Sequence, residues 1–396
     1  MTIELSNLTF TDEDDVVPLS GEEEIVNTGI ANTLAGNDRI TGTGGRDSIY
    51  NSGTLNTSDG NDVIIGVSNF QEGNFISGQG IFNVGGIMNT GDGDDKITGT
   101  GIGSGITVSY ESILDTGNGS DTITGTAQAG NGIDINTSSI NTGDGNDKIT
   151  GTGINYCGIN VNYEGILDTG NGSDTITGTG SSFGIQNYFI FNTGDGNDKI
   201  TGNANSSGYG ISNAGTMDTG AGNDEITGTN ANGWGIYNYS GNTIDTGDGK
   251  DKITGTGNNY GIYNIGTINT GDGNDIITGT STTEGGYGIY NPGIINTGNG
   301  KDFIIADGGF NGSGSVFLGN GQDYLKGFGS GNFNGEKGQD TLELTSGSYT
   351  LEISPAGWNF AKDGIIMNTV GFEKLIAGST IYDFASLTAD QIITVA

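Results

Sequence analysis

Asp147 sits in the stretch TGDGNDKIT (Thr142 to Thr150), two residues after the second of two closely spaced glycines and two residues before an isoleucine. Variants of this stretch place an acid in the same position at Asp38, Asp62, Asp95, Asp121, Asp174, Asp198, Asp224, Asp251, Asp275, Asp302, Asp323 and Asp340. Glycines such as Gly143 and Gly145 admit positive φ and let the backbone turn tightly with its carbonyls inward, while the aspartate adds a fixed carboxylate. Carbonyl and carboxylate oxygens without nitrogen or sulfur partners suit Ca²⁺ better than a transition metal. The thirteen aspartates are therefore candidate calcium ligands.

Composition points the same way. The 396 residues carry 47 acidic and 12 basic side chains, a formal net charge of −35 that calls for bound cations and excludes a nucleic-acid partner reached through a basic surface. With no His and a single Cys, the chain has no Ser/His/Asp or Cys/His catalysis, no structural zinc site and no internal disulfide. Its 79 glycines accompany only 3 prolines and do not recur every third position, which excludes collagen. No run of about 18 apolar residues is available for a transmembrane helix. The first twenty residues include Glu4 and Asp12 but no Lys or Arg, unlike a cleavable secretory leader.

From Asp95 to Asp302 the acid recurs at intervals of 24 to 27 residues, and the intervals then shorten to 21 and 17. Each period reads as three short extended segments: one after the aspartate turn, one around a Gly-Ile pair such as GIYN (Gly261 to Asn264), and one such as GTINTG. Side chains alternate with period 2 and no 3.6-residue spacing occurs. The expected fold is all-β, a right-handed parallel β-helix or β-roll solenoid, with one period per rung and one side of the rung carrying the metal turns. Ile97, Ile123, Ile149, Ile176, Ile200, Ile226, Ile253 and Ile277 form one inward ladder, and Ile211, Ile236, Ile262 and Ile289 another. Residues 1–30 are expected to cap the N-terminal end, 31–340 to hold the repeats, and 341–396 to cap the other end. The 9-residue step from Asp38 to Asp47 and the late 17-residue step predict narrower rolls at both ends.

The turn motif resembles the nine-residue GGxGxDxUx pattern of the RTX, or haemolysin-type, calcium-binding family, with Thr142 in place of the first Gly; DTGNGSDTI (Asp115 to Ile123) and NTGNGKDFI (Asn296 to Ile304) match likewise. The resemblance spans roughly residues 35 to 345. It implies several Ca²⁺ ions, each shared between stacked turns, with the thirteen aspartates as side-chain ligands and glycine-turn carbonyls completing the shell. It also implies export by type I secretion, with the C-terminal IYDFASLTADQIITVA as an uncleaved signal, and folding driven by extracellular calcium. The family's rung has about 18 residues and two calcium columns; the period of about 26 here predicts a three-sided rung with one column.

Other columns carry alternative functions. Asn89, Asp115, Asn141, Asp168 and Asn192 alternate amide and acid from rung to rung, which relieves the repulsion of carboxylates stacked about 4.8 Å apart. Pairs such as Thr98/Thr100, Thr124/Thr126 and Thr150/Thr152 predict two outward threonine columns, similar to the ice-binding faces of some solenoidal antifreeze proteins, although Thr is also a good exposed strand residue. Phe183, Tyr209, Trp234, Tyr260 and Tyr287, with Tyr237, Tyr263 and Tyr290, make aromatic ladders that serve packing or a sugar platform. Asn83, Asn187, Asn213, Asn238, Asn264 and Asn291 read as a structural ladder, and Cys157 as a buried, inert thiol. Lys96, Lys148, Lys199 and Lys252 repeat at one position, as do Glu111 and Glu164, so no singular catalytic constellation marks an enzyme. The sequence thus predicts a secreted calcium-binding solenoid with a structural or adhesive role, whose partners are calcium ions and either a cell-surface polysaccharide or further copies of itself. Calcium-dependent ice binding and carbohydrate binding or modification are the alternatives.

Overall fold

In a computed structural model, residues 1–396 are described except 1, 19–22, 73, 74, 77 and 356; parts of both expected caps, at 1, 19–22 and 356, lie outside the described residues. The chain divides into two compact units, residues 1–211 with 215–217 and residues 212–214 with 218–396. Each is a parallel β-solenoid, with three strands in all but the late turns of the second unit, and no α-helix occurs among the described residues.

In the first unit, a turn of the coil runs from a short strand such as Ile113–Asp115, round the aspartate corner, to a strand such as Thr122–Ala127, and then to one such as Ile133–Asn136. These stack into three sheets, here the short, threonine and asparagine sheets. Successive rungs keep strict register: Ile123 pairs with Ile97 and Ile149, Ile133 with Ile106 and Ile159, and Leu114 with Met88 and Ile140. All of these side chains are fully buried. A single rung cannot cover its own apolar residues, so each ladder is stable only because the rung beneath repeats it. The short-sheet ladder of Met88, Leu114, Ile140, Leu167 and Phe191 joins the two isoleucine ladders expected from the repeats.

The second unit repeats the plan with Ile253, Ile262 and Ile268 on its three sheets. The asparagine ladder is realised there as a continuous hydrogen-bonded file: Asn213 donates to Asn238, Asn238 to Asn264 and Asn264 to Asn291, at 2.8 to 2.9 Å. Toward the C-terminus the asparagine sheet stops at Phe310–Asn311, so the shorter late turns are two-sided as expected. The narrow N-terminal roll is not formed. Asp47 opens the strand Asp47–Asn51, which pairs with Gln79–Val84 in the asparagine sheet, so that rung is already three-sided and Asp47 is no turn residue. At the N-terminal end Leu5, in a short 3-10 turn, is fully buried. At the C-terminal end the antiparallel strands Gly347–Ile353, Trp358–Lys362, Ile365–Val370 and Ile392–Val395 form the cap, burying Ile393.

The glycines have a second use besides turning. Gly151 of the threonine sheet lies inward, and a Cβ there would stand 2.2 Å from the carbonyl oxygen of Gly158 on the asparagine sheet; Gly125 meets Gly132 in the same way. The two sheets thus approach backbone to backbone at these glycines. Gly151→Ala should therefore lower stability by about 3 kcal/mol, because neither backbone can retreat. Gly241→Ala meets nothing within 4 Å and strains only a positive φ of 80°, costing about 1 kcal/mol. Chemical denaturation of the two variants measures the difference, and equal losses would contradict the close-approach account.

Candidate functional site

The aspartate corner joins the short and threonine sheets. Within each unit its acids line up along the coil, and they are 0 to 2% exposed. In the first unit the backbone N–H of Asp38 donates to Oδ1 of Asp62, Asp62 to Asp95, Asp95 to Asp121, Asp121 to Asp147, Asp147 to Asp174 and Asp174 to Asp198, at 2.7 to 2.8 Å. In the second unit the same file runs from Asp224 through Asp251, Asp275, Asp302 and Asp323 to Asp340, at 2.8 to 2.9 Å. Each carboxylate therefore ties its rung to the one before it.

Two members of these files escaped the motif. The amide of Asp15 donates to Asp38 Oδ1, and the amide of Asp340 donates to Glu373 Oε2. Both had a legible signal: an acid two residues ahead of an inward apolar residue, Val17 or Leu375, without the preceding glycines.

The motif threonine, which replaces the first glycine of the family pattern, is fully buried, and it reaches the other carboxylate oxygen. Thr116 donates to Asp121 Oδ2 and Thr169 to Asp174 Oδ2, each at 2.5 Å, and Thr219 to Asp224 Oδ2 at 2.7 Å. Thr33 donates likewise to Asp38 Oδ2, whereas at Asp62, Asp95, Asp147, Asp251, Asp275, Asp302, Asp323 and Asp340 Oδ2 is buried without a partner. Burial pushes these acids far above the usual carboxylate range: Asp95, Asp147, Asp251, Asp302 and Asp323 to about 7, and Asp62, Asp121, Asp174, Asp275 and Asp340 to about 6. The amide of the preceding rung, and the motif Thr where it reaches the carboxylate as at Asp121 and Asp174, oppose this shift without cancelling it.

The donor chemistry fits calcium. Every acceptor at the corner is a hard oxygen, and the orphaned Oδ2 atoms are buried acceptors in need of a positive partner. The arrangement differs from expectation in two respects. Among the described residues no three acidic side chains gather into a cluster, so an ion would have to draw most of its ligands from hydroxyls and carbonyls. The glycine carbonyls point along the coil rather than inward: a Cβ on Gly119 would stand 1.7 Å from the Gly93 oxygen, and one on Gly145 1.5 Å from the Gly119 oxygen. The flanking columns behave as expected. Asn141 and Asn192 donate to Asp115 and Asp168 at 3.3 and 3.0 Å, and on the outer lip Asn118 and Asn171 donate to Asp92 and Asp144 at 2.9 Å.

On the adjoining threonine sheet the paired columns are present and outward. In the first unit Thr98, Thr124, Thr150, Thr177 and Thr201 stand in register, beside Thr100, Thr126, Thr152 and Thr179, with Asn203 ending the second column. In the second unit Thr227, Thr254 and Thr278 stand beside Thr229, Thr256 and Thr280. Nearly all are half-buried, while the isoleucines and glycines between them face the interior.

The aromatic ladder of the second unit is packed on itself. Tyr263 lies between rings, with centroids 4.5 Å from Trp234, 4.8 Å from Tyr237 and 4.3 Å from Tyr290 and ring planes within 28° of parallel. Faces that cover one another are not open to a sugar, which favours the packing role. Cys157 is buried, and burial pushes its thiol up to about 12, consistent with an inert residue.

The sequence matches no protein-family model and none of the curated proteins with which it was compared. Among solved structures it is similar to a hyperactive, Ca²⁺-dependent, β-helical antifreeze protein from an Antarctic bacterium, at 17% identity and a TM-score of 0.50, over 98% of this chain and 95% of that one. This likeness establishes a shared β-helical fold.

The raised aspartates set a pH dependence. A carboxyl whose folded pKa exceeds its unfolded value of 3.8 binds its proton more tightly in the native state. Its contribution is complete below pH 3.8 and is lost as pH rises through 6 to 7. In chelator the unfolding temperature should fall from pH 4 to pH 8, and millimolar Ca²⁺ should restore it at pH 8. Thermal unfolding followed by circular dichroism checks both. A pH-independent transition would remove the buried-carboxylate account, and an absent calcium effect would remove the ion.

Proposed function

We propose that the chain is a secreted, non-enzymatic calcium-binding solenoid whose threonine sheet binds ice. The observation that supports this most is the double file of outward threonines in strict register. Adjacent rungs repeat at about 4.8 Å, and alternate residues of a strand at about 6.6 Å, so the threonines form a regular two-dimensional lattice. Thr is β-branched and restricted at χ1, which keeps that lattice ordered. Hydroxyls and methyls held on a flat grid can order a layer of water in the way that scattered surface groups cannot. The similarity to a Ca²⁺-dependent antifreeze protein supports the same reading.

Calcium would supply the positive charge that the aspartate corner lacks. It would be held by Asp62, Asp95, Asp147, Asp251, Asp275, Asp302, Asp323 and Asp340 through their unpartnered oxygens, by Asp38, Asp121, Asp174 and Asp224 through oxygens shared with Thr, and by Asp198 in the same file. Its role is to fasten the corner, and thereby to hold the threonine strands in register; the chain's own residues meet the ice. The RTX resemblance supports export before folding and a place outside the cell, where calcium is plentiful. A structural or adhesive role remains compatible with the fold, but the threonine lattice gives the more specific reading.

Thermal hysteresis and ice-crystal shaping in calcium buffer test it. The unaltered chain should show both, Thr150→Tyr with Thr152→Tyr should lose most of the activity while remaining folded, and Tyr188→Ala, away from that sheet, should keep it. A folded, calcium-loaded chain without hysteresis or ice shaping would reject ice binding.

A further inference from the structure

Three consecutive rungs of the first unit depart from the repeat on another side. In the asparagine sheet Asn83 is followed in register by Val108, Ile135 and Val161 before Asn returns at Asn187. The corner that follows these strands changes with them. The preceding rung turns there on Gly85, at φ 65°, whereas the altered rungs turn on Tyr110–Glu111, Thr137 and Tyr163–Glu164, all at positive φ between 42° and 61°. Among the described residues these five are half of all non-glycine residues in that region of backbone space. Glycine would satisfy the turn without strain, so the side chains are kept at a conformational cost.

What they build is a groove of about 420 Å³. Tyr110 and Tyr163 project from its edge, 73% and 70% exposed, two rungs or roughly 9.6 Å apart on the strand spacing. Unlike Tyr237, Tyr263 and Tyr290, they stack on no other ring among the described residues. The floor is polar and held rigid. Asp134 accepts from Asn131 at 2.9 Å, Asn136 at 2.8 Å and Asn160 at 2.6 Å. Two buried groups are left without a partner: Ser109 Oγ, on a residue 6% exposed that lines the groove, and Asn160 Oδ1, on a residue 7% exposed that holds its floor. Buried polar atoms of this kind mark a missing ligand group, since leaving them unpaired is unfavourable. Glu111 and Glu164 flank the tyrosines in the adjoining hollow.

We propose that this groove binds a neutral polysaccharide chain. Exposed tyrosine rings two rungs apart offer flat apolar faces to the C–H faces of pyranose rings, at the span of a disaccharide. The Ser109 hydroxyl and the fixed Asp134 carboxylate, both lining the groove, take up sugar hydroxyls. The flanking glutamates and the net charge of −35 repel anionic polymers. The site is separate from the threonine sheet and independent of the ice-binding reading.

Isothermal titration of the calcium-loaded full chain at 25 °C with cellohexaose, laminarihexaose, mannohexaose and chitohexaose, and with an oligogalacturonate hexamer as the anionic probe, tests it. At least one neutral hexasaccharide should bind and the oligogalacturonate should not. Tyr110→Gly and Tyr163→Gly relieve the backbone while removing the ring, so each should weaken binding at least tenfold without lowering the unfolding temperature, and Ser109→Ala should weaken it severalfold. Thr150→Tyr should leave it unchanged. Absence of binding to all four neutral probes, equal binding of the oligogalacturonate, or full binding by both glycine variants would overturn the proposal.

Discussion

Self-stacking is the constraint on which the rest of this structure depends. In a parallel coil each side chain meets its own counterpart one strand spacing away, so every column must be tolerable to itself. Isoleucine meets this condition by burying more of itself. Asparagine meets it by donating to the next asparagine, as Asn238 does to Asn264. Aspartate does not meet it unaided, and each of the acid-bearing columns has its own device: amides alternate with acids in the flanking columns, and at the corner each Oδ1 takes the amide of the rung before it.

That condition also explains how much was legible in the sequence. The period, the inward isoleucines, the outward threonines and the asparagine file follow from residues such as Ile149, Thr150 and Asn238, because a column that stacks on itself must repeat in the sequence. The corner aspartates were legible for the same reason. Their surroundings were less so. Thr116 reads as a mere substitution for glycine until its hydroxyl is seen on Asp121. Gly151 reads as a turn former, yet it lies in a strand where two sheets touch. Both facts belong to packing between different parts of one rung: the residue repeats in the sequence, but the partner it meets does not show there. Asp47 misled for a related reason: the spacing of acids was right for a narrow roll, but pairing with Gln79 decides its place.

Departures from the repeat carry a different kind of information. A solenoid gains stability from uniformity, so a local break such as Tyr163–Glu164 at positive φ works against the scaffold and has to be explained by something other than folding. The threonine sheet is the opposite case, a surface whose use depends on uniformity itself. One coil thus presents a periodic face and an aperiodic one.

The amide–acid alternation in the first unit also bears on how such a chain can change length. Loss of the single rung that carries Asn141 would bring Asp115 against Asp168, two carboxylates facing at one strand spacing with no amide between them. Loss of two rungs together would leave the alternation intact. The electrostatics of one column therefore makes single-turn changes unequal: loss of a rung that carries the amide sets two carboxylates face to face, whereas loss of the Asp115 rung would only bring Asn89 against Asn141, the amide-on-amide contact that Asn56 and Asn89 already make.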